Sequence, residues 1–163
     1  MPGVRVFVMD EFERVLLVKS NYEKRSEQDE FWVAPGGGID FGEFSIDAGI
    51  REVKEETGIQ TEITHLLWLV EEKLPDGSMN YANYFLGRVV GGTLKVGSDP
   101  ELPQDKQVLL DAAFFSREQV LTLGRVYPEV LLDEFWEILN HLPTHDLYRT
   151  RQARGFGIRT IRK

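Results

Sequence analysis

The chain has 163 residues, 42% of them hydrophobic, no cysteine and a formal net charge of −8 at pH 7. This length supports one domain with a sizeable core, the missing cysteines exclude disulfides and thiol chemistry, and the acidic balance argues against nucleic acid as a partner. Because it has neither an 18-residue apolar span nor an N-terminal apolar segment, we expect a cytoplasmic protein that is not exported and not inserted in a membrane.

Two short strands are predicted at the start of the chain. Residues 3–9 alternate Val4, Val6 and Val8 with other side chains, residues 14–19 are largely apolar, and a polar turn separates the two segments. The charged stretch 22–30 follows, and we interpret it as a loop that can close over a ligand.

Residues 45–57 predict a helix, since no proline interrupts them, Ser45 can cap the start and Gly58 can close the end. At about 100° per residue, four side chains form a stripe expected to pack on the core: Ile46, Ile50, Val53 and Thr57. Three glutamates lie on nearly the opposite face: Glu52, Glu55 and Glu56. Like charges at these spacings repel one another, so a cation is expected over them.

This acidic face is the candidate functional surface. Arg51 can reach Glu55, four residues away, but leaves Glu52 and Glu56 uncompensated. All-oxygen ligation without cysteine or histidine favours a hard cation, Mg²⁺ or Mn²⁺. Two small residues flank the face and are expected to leave room for ions and a ligand: Ala48 and Gly49.

The second half of the chain predicts a hairpin, a strand and two helices. Residues 63–70 and 81–90 are apolar runs on either side of a strong turn signal, Leu74-Pro75-Asp76-Gly77-Ser78. Residues 108–115 predict another strand, and Ser116-Arg117-Glu118-Gln119 fits a capping box that opens a short helix. Pro128 stands at the first position of a predicted helix that reaches Asn140. This order indicates an α/β protein with a mixed sheet flanked by helices.

The end of the chain differs in charge from the rest. Residues 149–163 hold six basic residues and no acidic one. Since the net charge of the whole chain is −8, residues 1–148 carry a net charge of −14. We therefore divide the chain into a single domain, residues 1–148, and a basic C-terminal tail, residues 149–163. The tail contains Phe156, Ile158 and Ile161, which favours docking on the acidic body or on a partner subunit of a homodimer over binding of nucleic acid.

The residues from Gly37 to Ile59 read GGIDFGEFSIDAGIREVKEETGI, a run of 23 residues that resembles the signature of the Nudix hydrolases at every fixed position. The matching positions are Gly37, Glu43, Arg51, Glu52, Val53, Glu55, Glu56, Gly58 and Ile59. The preceding Trp32-Val33-Ala34-Pro35-Gly36 looks like the strand and glycine turn that commonly lead into this box. The resemblance implies an α/β/α sandwich with a mixed sheet, and hydrolysis of a nucleoside diphosphate linked to another moiety with the help of Mg²⁺ or Mn²⁺.

The resemblance also implies roles for individual residues. The metal ligands would be Glu52, Glu55 and Glu56, with the backbone carbonyl of Gly36 as another. Arg51 would orient a glutamate through an ion pair, and Glu43 would support the site or reach the metal through water. The general base is Glu56 or Glu52 on this interpretation, with a distal carboxylate as the alternative; the candidates for it are Asp99, Glu101, Asp105 and Asp111.

Substrate choice rests on weaker signals. Aromatic residues that could stack on a base are Trp32, Tyr81, Tyr84 and Tyr127, with Asp111 as a further substrate-binding candidate, although aromatics in strands more often belong to the core. Pro75 lies sixteen residues beyond Ile59, as in family members that hydrolyse ADP-ribose, and it serves equally well in a hairpin turn. We favour a small nucleotide such as ADP-ribose or a nucleotide sugar, with nucleoside triphosphates and dinucleoside polyphosphates left open.

Two other classes share this fold. Nucleotide-sensing Nudix domains usually lose box glutamates or add a DNA-binding domain, whereas the box here is intact. Prenyl diphosphate isomerases rely on a cysteine, and this chain has none. Hydrolysis is therefore the favoured function.

Overall fold

One mixed sheet organises the part of the chain that the computed structural model describes, residues 2–21, 30–97 and 109–153. Its strands are β1 (Pro2–Met9), β2 (Val15–Ser20), β3 (Phe31–Val33), β4 (Gly36–Gly38), β5 (Ile59–Lys73), β6 (Met79–Gly92), β7 (Leu109–Phe115) and β8 (Val126–Tyr127). The helices are α1 (Ser45–Thr57), α2 (Arg117–Val120), a 3₁₀ helix (Glu129–Leu132) and α3 (Glu134–Ile138). No described helix has the length and apolar character needed to cross a membrane.

The sheet runs in the order β5-β6-β1-β2-β3-β8, with β4 paired to β1 and β7 paired to β2. Strand β1 is parallel to β6 and antiparallel to β2 and β4, so the sheet is mixed, as predicted. Because side chains alternate along a strand, Val4, Val6 and Val8 pack on the α1 side. Phe7 points the other way and stacks on Phe135 of α3 at 4.7 Å between ring centroids. The helices therefore cover both faces, which confirms the α/β sandwich.

The predicted strands are confirmed, and most are longer than the sequence indicated. The hairpin β5-β6 turns at residues 74–78, where the Leu74 backbone N–H donates to the Ser78 carbonyl at 2.8 Å. The short strand β4 replaces the glycine turn expected after Trp32-Val33, because its backbone pairs with residues 3–5 of β1. Val108, the stretch 22–29 and the tail residues 154–163 lie outside the described residues.

The helix predicted from Pro128 to Asn140 is wrong as a single element. The chain breaks at Asp133, where φ is −151° and ψ is −75°, into the 3₁₀ helix and α3. The Asp133 side chain accepts a hydrogen bond from the Glu134 backbone N–H and so begins a new helix. The indole N–H of Trp136 donates a hydrogen bond to the Leu131 carbonyl at 2.8 Å. The capping box at Ser116 is confirmed.

Helix α1 has the predicted bounds but a different start. Phe44 is the N-cap residue and supplies no side-chain hydrogen bond, so Ser45 does not cap the helix. Instead the Ile46 backbone N–H donates to the hydroxyl of Tyr148, 102 residues later, at 3.2 Å. Gly58 ends the helix in the left-handed conformation at φ 74°, as predicted.

The packed face of α1 also differs from the prediction. Ala48 and Gly49 are buried rather than flanking a ligand, while Ile50 is 36% exposed. A Cβ at Gly49 would lie 2.9 Å from Cγ2 of Val6. The helix approaches β1 so closely that small residues are needed there. Of the predicted stripe, Val53 and Thr57 are fully buried and Ile46 packs against the same cluster, so only Ile50 lies off the packed face.

Candidate active site

The glutamates of α1 lie against the backbone of the glycine strand β4. The Gly36 backbone N–H donates to Oε1 of Glu56 at 3.4 Å. A Cβ at Gly37 would lie only 2.6 Å from Oε1 of Glu52. Glycine at position 37 therefore leaves free the space that the Glu52 carboxylate fills, and a side chain there would displace that carboxylate.

Arg51 holds the other acidic groups in place. Its Nε and Nη2 donate to both oxygens of Glu43 at 2.9 and 3.0 Å, and Nη1 donates to Glu52 at 3.1 Å and to Glu55 at 3.2 Å. Nη2 also donates to the Gly38 carbonyl at 3.2 Å. All five N–H donors of a guanidinium are thus used. The sequence-based prediction that Arg51 leaves Glu52 uncompensated is wrong, and the hydrogen bond from Arg51 holds the pKa of Glu43 below its ordinary value.

Glu52 and Glu56 form a partly buried carboxyl pair, one helical turn apart, and each affects the pKa of the other. Burial raises the pKa of Glu52, an effect that the charge of Arg51 partly offsets, and raises the pKa of Glu56 to about 8, an effect that the charge of Arg5 partly offsets. Two desolvated carboxyl groups that compete for one proton are suited to hold a hard cation, since it would stabilise both in the charged form.

Glu55 accepts a hydrogen bond from the same nitrogen of Arg51, Nη1, that binds Glu52. Within the described ranges, no three Asp, Glu or His side chains come together at one point as a metal site. The donor chemistry of Glu52 and Glu56 fits a divalent cation, and Arg51 holds Glu55 beside Glu52.

A cavity of about 410 Å³ lies across strand β4 from the carboxyl pair, and neither Glu52 nor Glu56 lines it. Strand β4 is the shared wall, since Gly37 lines the cavity and also lies against Glu52. The sheet register places Ala82, Gly3 and Gly38 in one row across three strands, and these small residues leave space above the sheet. A cavity of this size is within the usual range of about 300–1,000 Å³ for ligand sites.

Three of the predicted aromatic residues line this cavity: Tyr81, Tyr84 and Tyr127. Trp32 does not; its ring packs edge-on against Phe115 at 4.8 Å. Asp111 does not line it either, because it lies on β7 opposite Lys19 of β2. The other distal acids, Asp99, Glu101 and Asp105, lie outside the described residues.

Two charged residues of the cavity were missed by sequence reasoning. Arg5 donates from Nη1 to the Ala34 carbonyl at 3.0 Å and lies 5.8 Å from the ring centroid of Tyr127. Glu72 accepts a hydrogen bond from the Tyr127 hydroxyl at 3.1 Å. Arg5 had one local signal, a charge among the alternating valines of β1, whereas Glu72 had none.

The NUDIX domain model matches residues 1–135. The chain belongs to the Nudix family. It is 27% identical over 128 residues to the ADP-ribose pyrophosphatase of Methanocaldococcus jannaschii, covering 77% of this chain and 68% of that protein. It is 32% identical over 123 residues to human 8-oxo-dGDP phosphatase NUDT18, covering 75% of this chain but only 34% of the human protein.

A solved structure supports the fold. The NUDIX hydrolase from Nitrosomonas europaea superposes with a TM-score of 0.66 at 22% identity, covering 90% of this chain and 98% of that one. At this identity the likeness concerns the fold. Together with the family match, it confirms the resemblance seen in residues 37–59.

Proposed function

We propose that this Nudix protein is a Mg²⁺-dependent hydrolase that cleaves the phosphoanhydride bond of a nucleoside diphosphate linked to another moiety. The observation that carries the proposal is the Glu52–Glu56 pair. Its pKa values are raised by burial, and it lies across one glycine strand from a nucleoside-sized cavity. Mn²⁺ could replace Mg²⁺, since both prefer oxygen ligands.

In this proposal Glu52 and Glu56 hold the metal, with Glu55 and the Gly36 carbonyl as further ligands. When bound, Mg²⁺ neutralises the diphosphate and lowers the pKa of a coordinated water. Glu56 or Glu52 accepts the proton of the attacking water, because both carboxylates lie against strand β4, whose Gly37 lines the cavity. Arg51 positions Glu52 and Glu43 and does not contact the substrate, since its donors are already used.

ADP-ribose or a nucleotide sugar is the proposed substrate class. The archaeal relative is named an ADP-ribose pyrophosphatase, and the cavity offers Arg5 near Glu56 to attract phosphate. The name of the human relative, an 8-oxo-dGDP phosphatase, supports a second candidate. In that case the substrate is a nucleoside di- or triphosphate without a second sugar.

A product-resolved screen separates the candidates. ADP-ribose, nucleotide sugars, dinucleoside polyphosphates, nucleoside triphosphates and 8-oxo-dGDP are incubated with Mg²⁺, and the products are identified by mass spectrometry. Cleavage of ADP-ribose to AMP and ribose 5-phosphate supports the first candidate, and preferential release of phosphate from 8-oxo-dGDP supports the second. No turnover of any compound would refute the proposed function.

A further inference from the structure

One wall of the site cavity carries a chain of three hydrogen-bonded side chains that the proposed chemistry does not need. The Tyr127 hydroxyl donates to Oε2 of Glu72 at 3.1 Å, and the hydroxyls of Tyr84 and Tyr127 are 3.3 Å apart. All three residues line the cavity. Glu72 and Tyr127 are 55 residues apart in the sequence. The folded sheet therefore brings these hydrogen-bonded side chains together.

The direction of the hydrogen bonds follows from counting protons. A tyrosine hydroxyl has one proton, and that of Tyr127 goes to Glu72. The bond between the two hydroxyls must therefore use the proton of Tyr84. Burial raises the pKa of both tyrosines, so both stay protonated at neutral pH. Since both hydroxyl protons are used, these three side chains present hydrogen-bond acceptors to the cavity, above all the carboxylate of Glu72.

The charged residues of the cavity favour one orientation of a bound nucleotide. Arg5 lies over the ring of Tyr127, whose hydroxyl binds Glu72, and its positive charge also acts on Glu56, so it links the Glu72 end of the cavity to the carboxyl pair. A nucleotide whose phosphates approach Arg5 and Glu56 would place its nucleoside toward Glu72. A phosphate at the Glu72 end would be repelled by that carboxylate.

We propose that Glu72 is a specificity-determining residue that accepts a hydrogen bond from a donor group of the nucleoside, either a base amino group or a ribose hydroxyl. Tyr127 and Tyr84 are positioning residues that fix the carboxylate. This inference rests on the proposed function for the orientation of the nucleotide. It adds a recognition element that selects nucleosides with a donor at this position.

The test is calorimetric binding of AMP with Mg²⁺, because AMP has no phosphoanhydride bond to hydrolyse. Glu72→Gln is expected to raise the Kd by more than about tenfold, as expected for loss of a hydrogen bond to a charged group. The matched control is Glu71→Gln, since Glu71 is adjacent, exposed and outside the cavity lining, and it should leave the Kd within about twofold of wild type. Equal effects of the two variants, or no saturable binding by the wild type, would overturn the inference.

Two analogues identify the donor. Inosine monophosphate lacks the amino group, and 2′,3′-dideoxy-AMP lacks both ribose hydroxyls. The penalty of Glu72→Gln should disappear with one of them, which names the group that Glu72 reads. A penalty that persists with both analogues would show that Glu72 acts indirectly and would overturn the inference.

Tyr127→Phe tests the positioning role. It should weaken AMP binding less than Glu72→Gln does, and it should add nothing in the Glu72→Gln background, because its effect passes through that carboxylate. Additive effects would contradict this. If AMP binding depends on Glu72 while no diphosphate is hydrolysed, the proposed function fails and the recognition site stands. If ADP-ribose is hydrolysed while AMP binding is independent of Glu72, the inference alone fails.

Discussion

Gly37→Ala tests whether the position of the Glu52 carboxylate controls turnover. A Cβ at this position would lie 2.6 Å from Oε1, 2.8 Å from the carboxyl carbon and 3.0 Å from Oε2 of Glu52, whereas ordinary contact begins at 3.4 Å. The carboxylate must therefore retreat by about 0.8 Å. A displacement of about 1 Å in a catalytic arrangement costs about a hundredfold in rate, so we expect kcat to fall by a factor of this order.

The stability of this variant should change little. The added methyl meets the far end of a flexible side chain, and Gly→Ala at a backbone conformation open to both residues changes the free energy of unfolding by about 1 kcal/mol or less. The kcat for the diphosphate identified by the screen and the melting temperature are measured together. An unchanged kcat in a folded Gly37→Ala protein would refute the reasoning that ties Glu52 to catalysis.

Gly38→Ala is the matched control. A Cβ at Gly38 meets no heavy atom within 4 Å, so Glu52 keeps its place and kcat is expected to stay near the wild-type value. Because Gly38 lines the cavity, any effect should fall on KM. If Gly38→Ala lowered kcat as much as Gly37→Ala does, the loss would come from adding any methyl group to strand β4 and would not depend on Glu52.

Three further predictions concern stability. In the presence of a chelator, the free energy of unfolding should fall as the pH rises from about 4.5 to about 8, because the folded protein keeps a proton on Glu56 that the unfolded chain has released. Urea unfolding at several pH values checks this, and added Mg²⁺ should restore the lost stability by mass action. Tyr148→Phe should cost about 1 kcal/mol, since it removes the acceptor for the Ile46 N–H of α1, and an unchanged melting curve would contradict that role. Gly58→Ala should cost about 1 kcal/mol or more because of its positive φ and the nearby Thr93 carbonyl, and a variant as stable as wild type would refute this account of the helix end.

Most of the fold follows from local patterns. Alternating valines in β1, the Pro-Asp-Gly turn of the hairpin and the Ser116 capping box each act within a few residues, so the sequence predicts them. The break at Asp133 was missed because it depends on tertiary packing, in which Phe135 of α3 stacks on Phe7 of β1. Ala48 and Gly49 were placed on the wrong face because helical spacing does not reveal how closely a helix approaches its sheet.

The candidate site divides in the same way. The carboxyl groups on α1 are visible in the sequence because helix spacing fixes their relative positions. The contact of Arg51 with Glu43 depends on the loop before the helix, and the contact of Glu72 with Tyr127 depends on the order of the strands. Residues brought together by sheet topology leave no local pattern in the sequence, which is why Glu72 and Arg5 were found only in the structure.

The central claim is that the carboxyl pair of α1 is the metal site for phosphoanhydride hydrolysis. Its most direct test is the Mg²⁺-dependent turnover of the screened diphosphates by the wild type and by Glu56→Gln, with Glu71→Gln as the control. Glu56→Gln keeps the shape of the side chain and removes its charge. The account predicts that turnover requires Mg²⁺ and falls by orders of magnitude in Glu56→Gln alone while the fold is kept; near-normal turnover by that variant, or hydrolysis unaffected by a chelator, would contradict it.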